Sequence, residues 1–347
     1  GLSIPPYRND VKREADVIEE ILRVYGYNNI KSSIKLNQSI IIEKKNLKNK
    51  LVNIISNHLV SLGFYEIITN SLVAEPLNKE NHKAVKILNS QSSDLSNLRT
   101  SMVFSGLNVI SHNINRQNDN LKLFEFGKVY SNNSKSKYSE KNITGIFVCG
   151  NKNSESSWNS DQKSVDFYFL KGIVQSIIKL VGIENIIYDE FSNNCYDYAE
   201  SISVGKDMIF KYGLISSLQT NSIEIENEVF YAELDFDKIE KHIDTKPKIF
   251  KKVSKFPSVS RDISILVDEN IKFRNIQESI KKVNQGLIKK VALFDVYRGK
   301  NLPAGKKSYG IGFKISDKTK TLSIKEIDSL INKIIVNLEK NFGAKLR

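Results

Sequence analysis

The order of apolar periodicities in the last hundred residues narrows the fold more than any other feature of the chain. Arg261–Val267 alternates as a strand, Phe273–Val283 repeats at helical spacing, and Leu287–Tyr297 and Lys307–Ile315 alternate again. Ser323–Lys340 reads as a second helix and Ala344–Arg347 as a last short strand. A chain running βαββαβ closes as the ferredoxin-like split unit, one sheet with both helices on one side and the other side open. Alternation then assigns the side chains. Ile263, Ile265, Val267, Ala292, Phe294, Val296, Tyr309, Ile311, Phe313 and Ile315 are expected to face the helices. Asp262, Ser264, Asp295, Tyr297, Ser308, Gly310, Gly312, Lys314 and Lys345 are expected on the open face. A tyrosine to stack on, polar groups to read edges and glycines that allow close approach suit an unpaired base. The same residues also make an ordinary solvated sheet face, so another property has to decide.

Charge decides it. From Lys251 to Arg347 there are 22 Lys and Arg against 9 Asp and Glu, a balance of +13. That equals the net charge of the whole 347-residue chain, so the first 250 residues are neutral, with 30 of each sign. A general lysine bias would have marked both parts alike. A cationic module beside a neutral body points to a polyanion, and so to nucleic acid.

The length allows two to three domains, and 40% apolar with 26% charged residues excludes wholesale disorder. No apolar run approaches the roughly 18 to 20 residues that span a bilayer, so no membrane partner is expected. Cys149 and Cys195, without CxxC spacing, make neither a disulfide framework nor a structural zinc site. They indicate a reducing, cytoplasmic setting. Gly1-Leu2-Ser3-Ile4-Pro5-Pro6 is no signal peptide and reads as the start of a segment cut from a longer chain.

We expect units at 1–38, 39–248 and 252–347. The first holds one helix from about Arg13, with Val17, Ile18, Ile21, Leu22 and Val24 apolar and Gly26 at its end, too short to keep a core alone. The second is expected to be α+β around a mostly antiparallel sheet. Its helices are expected near Lys44–Leu62, Met102–Asn115 and Phe167–Val181. Its strands are expected at Tyr65–Leu72, Lys122–Tyr130, Ile143–Cys149, Lys211–Ile215 and Val229–Leu234, with polar loops at Asn132–Lys141 and Asn151–Asp161.

Asp16, Glu19 and Glu20 share a helix face, with Asp10 just ahead of it. Grouped carboxylates ask for a cation, and oxygen ligands favour Mg²⁺ or Ca²⁺. Helix N-terminal stabilisation and pairing with Arg13 and Arg23 explain the same residues, and on spacing alone explain them better. No HExxH, GxSxG or P-loop pattern is present, and His58 on its apolar stripe is expected to pack.

In order along the chain, the short motifs resemble one family. They are Pro5-Pro6-Tyr7-Arg8-Asn9-Asp10, Arg13–Ile21, Tyr25-Gly26-Tyr27, Leu98-Arg99-Thr100-Ser101, Leu123-Phe124-Glu125-Phe126-Gly127 and Phe169-Leu170-Lys171-Gly172. Phe256-Pro257, Arg261-Asp262, Phe294–Gly299 and Leu302–Ser308 complete the series. Together they resemble the C-terminal part of the bacterial phenylalanyl-tRNA synthetase β subunit. The resemblance implies the end of a metal-linked module, then a class II synthetase-like catalytic-like domain, then a ferredoxin-fold anticodon-binding domain.

It implies a heterotetramer of two α and two β subunits. ATP would be used at the α subunit to attach phenylalanine to tRNA-Phe, while this chain scaffolds α and holds tRNA. It implies that Asp10, Asp16, Glu19 and Glu20 hold a Mg²⁺ shared with α, which reverses the preference from spacing. It implies anticodon contacts from Ser264, Asp295, Tyr297, Ser308 and Lys345. No catalytic residue is expected: Gly127–Asn133 and Lys211–Ser216 lack the arginines with which an active class II site holds ATP phosphates. The Lys44–Leu62 helix is a candidate for the α interface or for internal core. The family's N-terminal tRNA-binding and editing modules have no counterpart here, so no editing is expected. The alternative, a stand-alone module of RNA-recognition-motif type, would need aromatics on both central strands, where Ser308–Lys314 has Ser, Gly, Gly and Lys. A free-standing enzyme is disfavoured by the missing arginines.

Overall fold

Helix α1 (Glu14–Tyr25) starts after an extended Arg13 and stops at Gly26, as its sequence signals require. None of its residues is buried, so its apolar stripe, including Ile18, Ile21 and Val24, meets no partner among the described residues. The structure, a computed structural model, describes residues 1–31, 47–74, 84–133, 137–153, 158–159, 162–243, 254–283, 286–299 and 302–347. It separates into two units, Gly1–Thr245 and Lys246–Arg347.

In the first unit, α2 (Leu47–Ser61) buries Leu51, Ile55 and Leu59 in the unit's own core. Its stripe is therefore internal packing, and the expected residues 44–46 lie outside the described ones. His58 packs as expected, its Nε2 2.7 Å from Ser176 Oγ. The expected strand at Tyr65–Leu72 is only β1 (Tyr65–Glu66) and, after a break, β2 (Leu72–Val73). β2 joins β3 (Val85–Lys86) and β4 (Asn97–Leu98) in a small sheet of order β2-β4-β3.

The rest of the unit is α3 (Val103–Ile114), β5 (Leu121–Asn133), β6 (Lys137–Cys149), α4 (Phe167–Val181), β7 (Ile186–Phe191), β8 (Tyr196–Val204), β9 (Asp207–Ile215), α5 (Ser217–Asn221), β10 (Val229–Asp235) and α6 (Phe236–His242). The main sheet has the order β1-β5-β6-β10-β9-β8-β7, and every pair except β1/β5 is antiparallel. Alternate residues feed two cores. Phe230, Ala232 and Leu234 join α2 and α4 on one face, while Val229 and Tyr231 join α3 on the other. Burial on both faces explains the near-continuous apolar run of β10.

One expectation fails here. Of the expected loop Asn132–Lys141, residues 132–133 and 137–141 are strand, with β5 and β6 paired to Asn133 and Lys137, and 134–136 lie outside the described residues. Beyond Asp235, the last partner on β10, this ribbon is two strands wide, so backbone ladders hold it with no apolar face to advertise it. β7 and β8 escape a pattern reading because acidic and hydroxyl residues interrupt their alternation. Asn151–Asp161 is partly outside the described residues, and Asn151 bridges Ser164.

The second unit consists of β11 (Val259–Asp268), α7 (Phe273–Val283), β12 (Ile288–Tyr297), β13 (Lys306–Ile315), α8 (Ile324–Phe342) and β14 (Lys345–Leu346). The sheet order is β12-β13-β11-β14, antiparallel throughout. Ile276, Ile280, Ile327, Leu330, Ile334 and Leu338 close the core over Ile263, Ile265, Val267, Tyr309, Ile311, Phe313 and Ile315. Ser323 and Glu326 form a capping box at the start of α8. The fold class is thus α+β, an antiparallel-sheet unit followed by a ferredoxin-like one.

Strand β12 departs from its expected face. Its register shifts between Ile288 and Lys290 and again between Leu293 and Asp295. Val291 and Leu293, opposite Phe313 and Ile311, turn to the helices, and Ala292, opposite Gly312, turns away. Phe294 is the extra residue and is 62% exposed. Of the three residues expected to face the helices, only Val296 does so, opposite Tyr309 and still exposed.

Gly106 marks the tightest contact between helix and sheet. A Cβ there would lie 2.1 Å from Cζ of the fully buried Phe147. Gly172, on α4, has nothing within 4 Å of the same position. Gly106→Ala should therefore destabilise the chain by about 1–3 kcal/mol through overpacking. Gly172→Ala should stabilise it by roughly 0.5–1 kcal/mol through helix propensity. Denaturant midpoints for the two variants should move in opposite directions; movement in the same direction contradicts the packing.

Candidate nucleic-acid interface

On the open face of the second unit, the register sets the residues in rows. Lys290 stands opposite Lys314. Ala292, Gly312 and Asp262 form the next row, and Asp295, Gly310 and Ser264 the one after. Tyr297, Ser308, Leu266 and Lys345 form the last. All five residues expected to contact an anticodon, Ser264, Asp295, Tyr297, Ser308 and Lys345, stand within these last two rows.

Their accessibility differs. Ser264 Oγ and Ser308 Oγ lie 3.0 Å apart, and Ser308 is only 3% exposed. The backbone N–H of Arg347 donates to Ser264 O at 2.9 Å. From there the Arg347 guanidinium reaches across the sheet, its carbon 5.1 Å from the Tyr297 ring centroid. The tyrosine thus carries a cation on its ring, and the two hydroxyls hold each other. Asp295, Asp262 and Lys345 are exposed.

Pattern reading missed Phe294, Ala292, Lys290, Leu266 and Arg347 on this face. Val291–Val296 is apolar in both phases of the alternation apart from Asp295, so no period-two count locates the bulge. Phe294 lies across β13. A Cβ on Gly310 would meet its Cε2 at 2.7 Å and Cζ at 2.9 Å, and one on Gly312 would meet its Cδ1 at 3.6 Å.

The acidic residues near α1 are engaged by neighbours. Arg8 Nε and Nη2 donate to Asp10 at 3.0 and 2.8 Å, and Nη2 also donates to Glu20 at 2.9 Å. Asp16 Oδ2 accepts from the N–H groups of Lys12 and Arg13 at 2.9 and 2.8 Å, and Arg13 Nη2 reaches its Oδ1 at 3.2 Å. Among the described residues no three His, Cys, Asp or Glu side chains converge as metal ligands. As they stand, Asp10, Asp16, Glu19 and Glu20 do not fit a Mg²⁺ ion: arginines and a helix cap already take up three of the four carboxylates.

In the first unit, Arg99 and Arg116 are the only arginines between residues 33 and 236. Arg99 is buried, donating to Glu125 Oε1 at 3.0 Å, Thr69 Oγ1 at 2.7 Å and Lys128 O at 2.9 Å. Arg116 Nη1 donates to His112 O at the end of α3. Lys211 pairs with Glu233 at 2.9 Å and Lys171 with Glu200 at 2.7 Å. Burial pushes both the Cys149 and Cys195 thiols up to about 11, so neither is a nucleophile at neutral pH.

Comparison with known proteins matches three families along the chain. The tRNA synthetase B5 domain matches residues 1–27, the phenylalanyl tRNA synthetase beta chain CLM domain residues 33–236, and the ferredoxin-fold anticodon binding domain residues 254–347. The phenylalanine–tRNA ligase beta subunit of Bacteroides thetaiotaomicron is 38% identical over all of this chain and 44% of its own length. That of Porphyromonas gingivalis is 35% identical over the same shares. The chain thus spans less than half the length of these relatives. A solved pyrrolysyl-tRNA synthetase from Desulfitobacterium hafniense is similar at TM-score 0.47 and 14% identity, over 69% of this chain and 81% of that one.

The backbone N–H groups of Lys12 and Arg13 hold the Asp16 carboxyl down at about 2, against an ordinary 3.8. Because the folded value is depressed, the cap is complete above the ordinary carboxylate range and is lost as pH falls through about 2. The Asp16 carboxyl carbon should titrate near that value in an NMR pH series. A midpoint at the ordinary value would remove the cap.

Proposed function

The chain belongs to the phenylalanyl-tRNA synthetase β-chain family, and from that premise we propose that it is the non-catalytic β-subunit portion of a phenylalanine–tRNA ligase. The proposed assembly is a heterotetramer of two α and two β subunits in the cytoplasm, a setting consistent with two unpaired cysteines. No helix among the described residues is long and apolar enough to cross a membrane. The catalytic α subunit uses ATP to activate phenylalanine. This chain braces it and holds the anticodon region of tRNA-Phe.

One observation supports the reading: the unit that holds the whole positive excess sets Ser264, Asp295, Tyr297, Ser308 and Lys345 on the sheet face turned away from its helices, with Asp295 and Lys345 exposed. Lysines around the rim attract phosphates, which supply affinity without sequence information. Tyr297 offers a ring to a base, and Asp295 accepts hydrogen bonds from base N–H groups. The matched families run through both units, which a stand-alone RNA-recognition module does not require.

The first unit supports a bracing role. Of its two arginines between residues 33 and 236, Arg99 is buried against Glu125, Thr69 and the Lys128 carbonyl and Arg116 is exposed at the end of α3, so no arginine pair is set to match the charge on a triphosphate. No step is routed through a metal ion.

Alone, the chain should catalyse no phenylalanine-dependent ATP–pyrophosphate exchange, and it should co-elute with a family α subunit. Exchange by the chain itself would overturn the non-catalytic reading. In the complete complex, Tyr297→Ala should lower tRNA charging by about tenfold, the loss of one stack, and leave amino-acid activation unchanged. Equal loss of both activities, or of neither, counts against base stacking.

A further inference from the structure

The proposed RNA face lacks aromatics on its two central strands, β13 and β11, yet Phe294 from edge strand β12 lies over the first of them. The bulge between Leu293 and Asp295 turns this side chain out of the core. Its Cδ1 approaches the position a Cβ would take on Gly312, and its Cε2, the opposite ring atom, approaches that on Gly310. The ring thus lies against both glycines and stays 62% exposed. Any side chain at Gly310 would displace it.

The neighbouring row carries Lys290 directly opposite Lys314, both exposed, and neither has an ion-pair partner among the described residues. Like charges facing each other across a sheet repel. A polyanion relieves that repulsion. Asp262 flanks the same floor, its Oδ1 3.0 Å from the Cβ position of Gly312. A flat aromatic platform, a carboxylate acceptor beside it and two lysines one row away match the parts of a single nucleotide: base face, base edge and phosphate.

We propose that Phe294 is a second base-stacking platform, separate from Tyr297, with Lys290 and Lys314 holding the phosphates of the same single-stranded RNA segment. The proposal rests on the reading of the open face as an RNA site, and adds a residue that the alternation turns toward the helices and that is not among the five expected anticodon contacts. Gly310 and Gly312 supply room for an aromatic from the adjoining strand, in place of an aromatic of their own.

The test uses the 347-residue chain and a single-stranded RNA heptamer with 2-aminopurine placed at each position in turn, read by fluorescence quenching and anisotropy. Wild-type chain should quench at two positions. Phe294→Leu should weaken binding about tenfold and abolish quenching at one position, while Tyr297→Ala abolishes it at the other. Phe294→Tyr should bind like wild type. Gly310→Ala, which moves the ring without deleting it, should repeat the loss and keeps the test open should Phe294→Leu misfold. Lys290→Ala with Lys314→Ala should reduce the slope of log affinity against log salt by about 1.4, two phosphates on a single strand. If Phe294→Leu and Gly310→Ala bind and quench like wild type while Tyr297→Ala fails, the second platform is overturned and the RNA face stands. If wild-type chain binds no RNA at any salt, the RNA face itself is overturned, and the platform with it.

Discussion

Between Leu293 and Asp295 one extra residue enters β12, and the character of the exposed sheet follows from that insertion. Without it, Phe294 would turn to α7 and α8 and the face would carry one aromatic. With it, Val291 and Leu293 fill the core opposite Phe313 and Ile311, and the ring lies outside on Gly310 and Gly312. Keeping a phenylalanine largely in water forfeits on the order of 1.5–3 kcal/mol that burial would have supplied. The core tolerates this because fifteen buried residues, from Ile263 to Ala344, close it without Phe294.

The first unit spends its charged groups differently. Arg99 and Glu125 form a buried pair that also fixes Thr69 and the Lys128 carbonyl, tying the segment after β4 to β5. Removing one partner from such a pair leaves an uncompensated buried charge, at a cost of about 3–5 kcal/mol. The arginine in that position is therefore a brace. In this sheet, buried on both faces, Arg99, Lys171 and Lys211 are all paired with carboxylates of the same unit.

Much of the fold is legible in the sequence where burial is one-sided or complete. Alternation located β11 and β13, an apolar run located β10, and helical spacing ending at Gly26 located α1. Legibility fails where the backbone alone holds a strand, as where Tyr130–Asn133 pairs with Lys137–Glu140, and where both phases of a strand are apolar, as in Val291–Val296. The face of Ser264 and Ser308 could be read, since β11 and β13 keep phase, and that of Tyr297 because β12 is regular again past its bulge. The burial of Ser308 and the Arg347 guanidinium over Tyr297 could not, because both are tertiary facts without local signature. The acidic positions show the same limit: four carboxylates in sequence imply a cation, and the fold supplies it as Arg8 and Arg13.

The sign of the charge at the centre of the open face differs from that at its rim, and this separates two tasks. Lys290, Lys314, Lys345 and Arg347 stand at its ends and along β14, whereas Asp262 and Asp295 stand in the rows between. At distances near a Debye length of ~10 Å only the net charge is felt, and it draws in any polyanion. At contact, the aspartates repel phosphate and accept hydrogen bonds from base N–H groups. A strand that settles there must turn its phosphates outward to the lysines and its bases inward to the carboxylates and rings. Orientation follows from where the few negative charges lie within a positive unit, a property that net charge alone does not record.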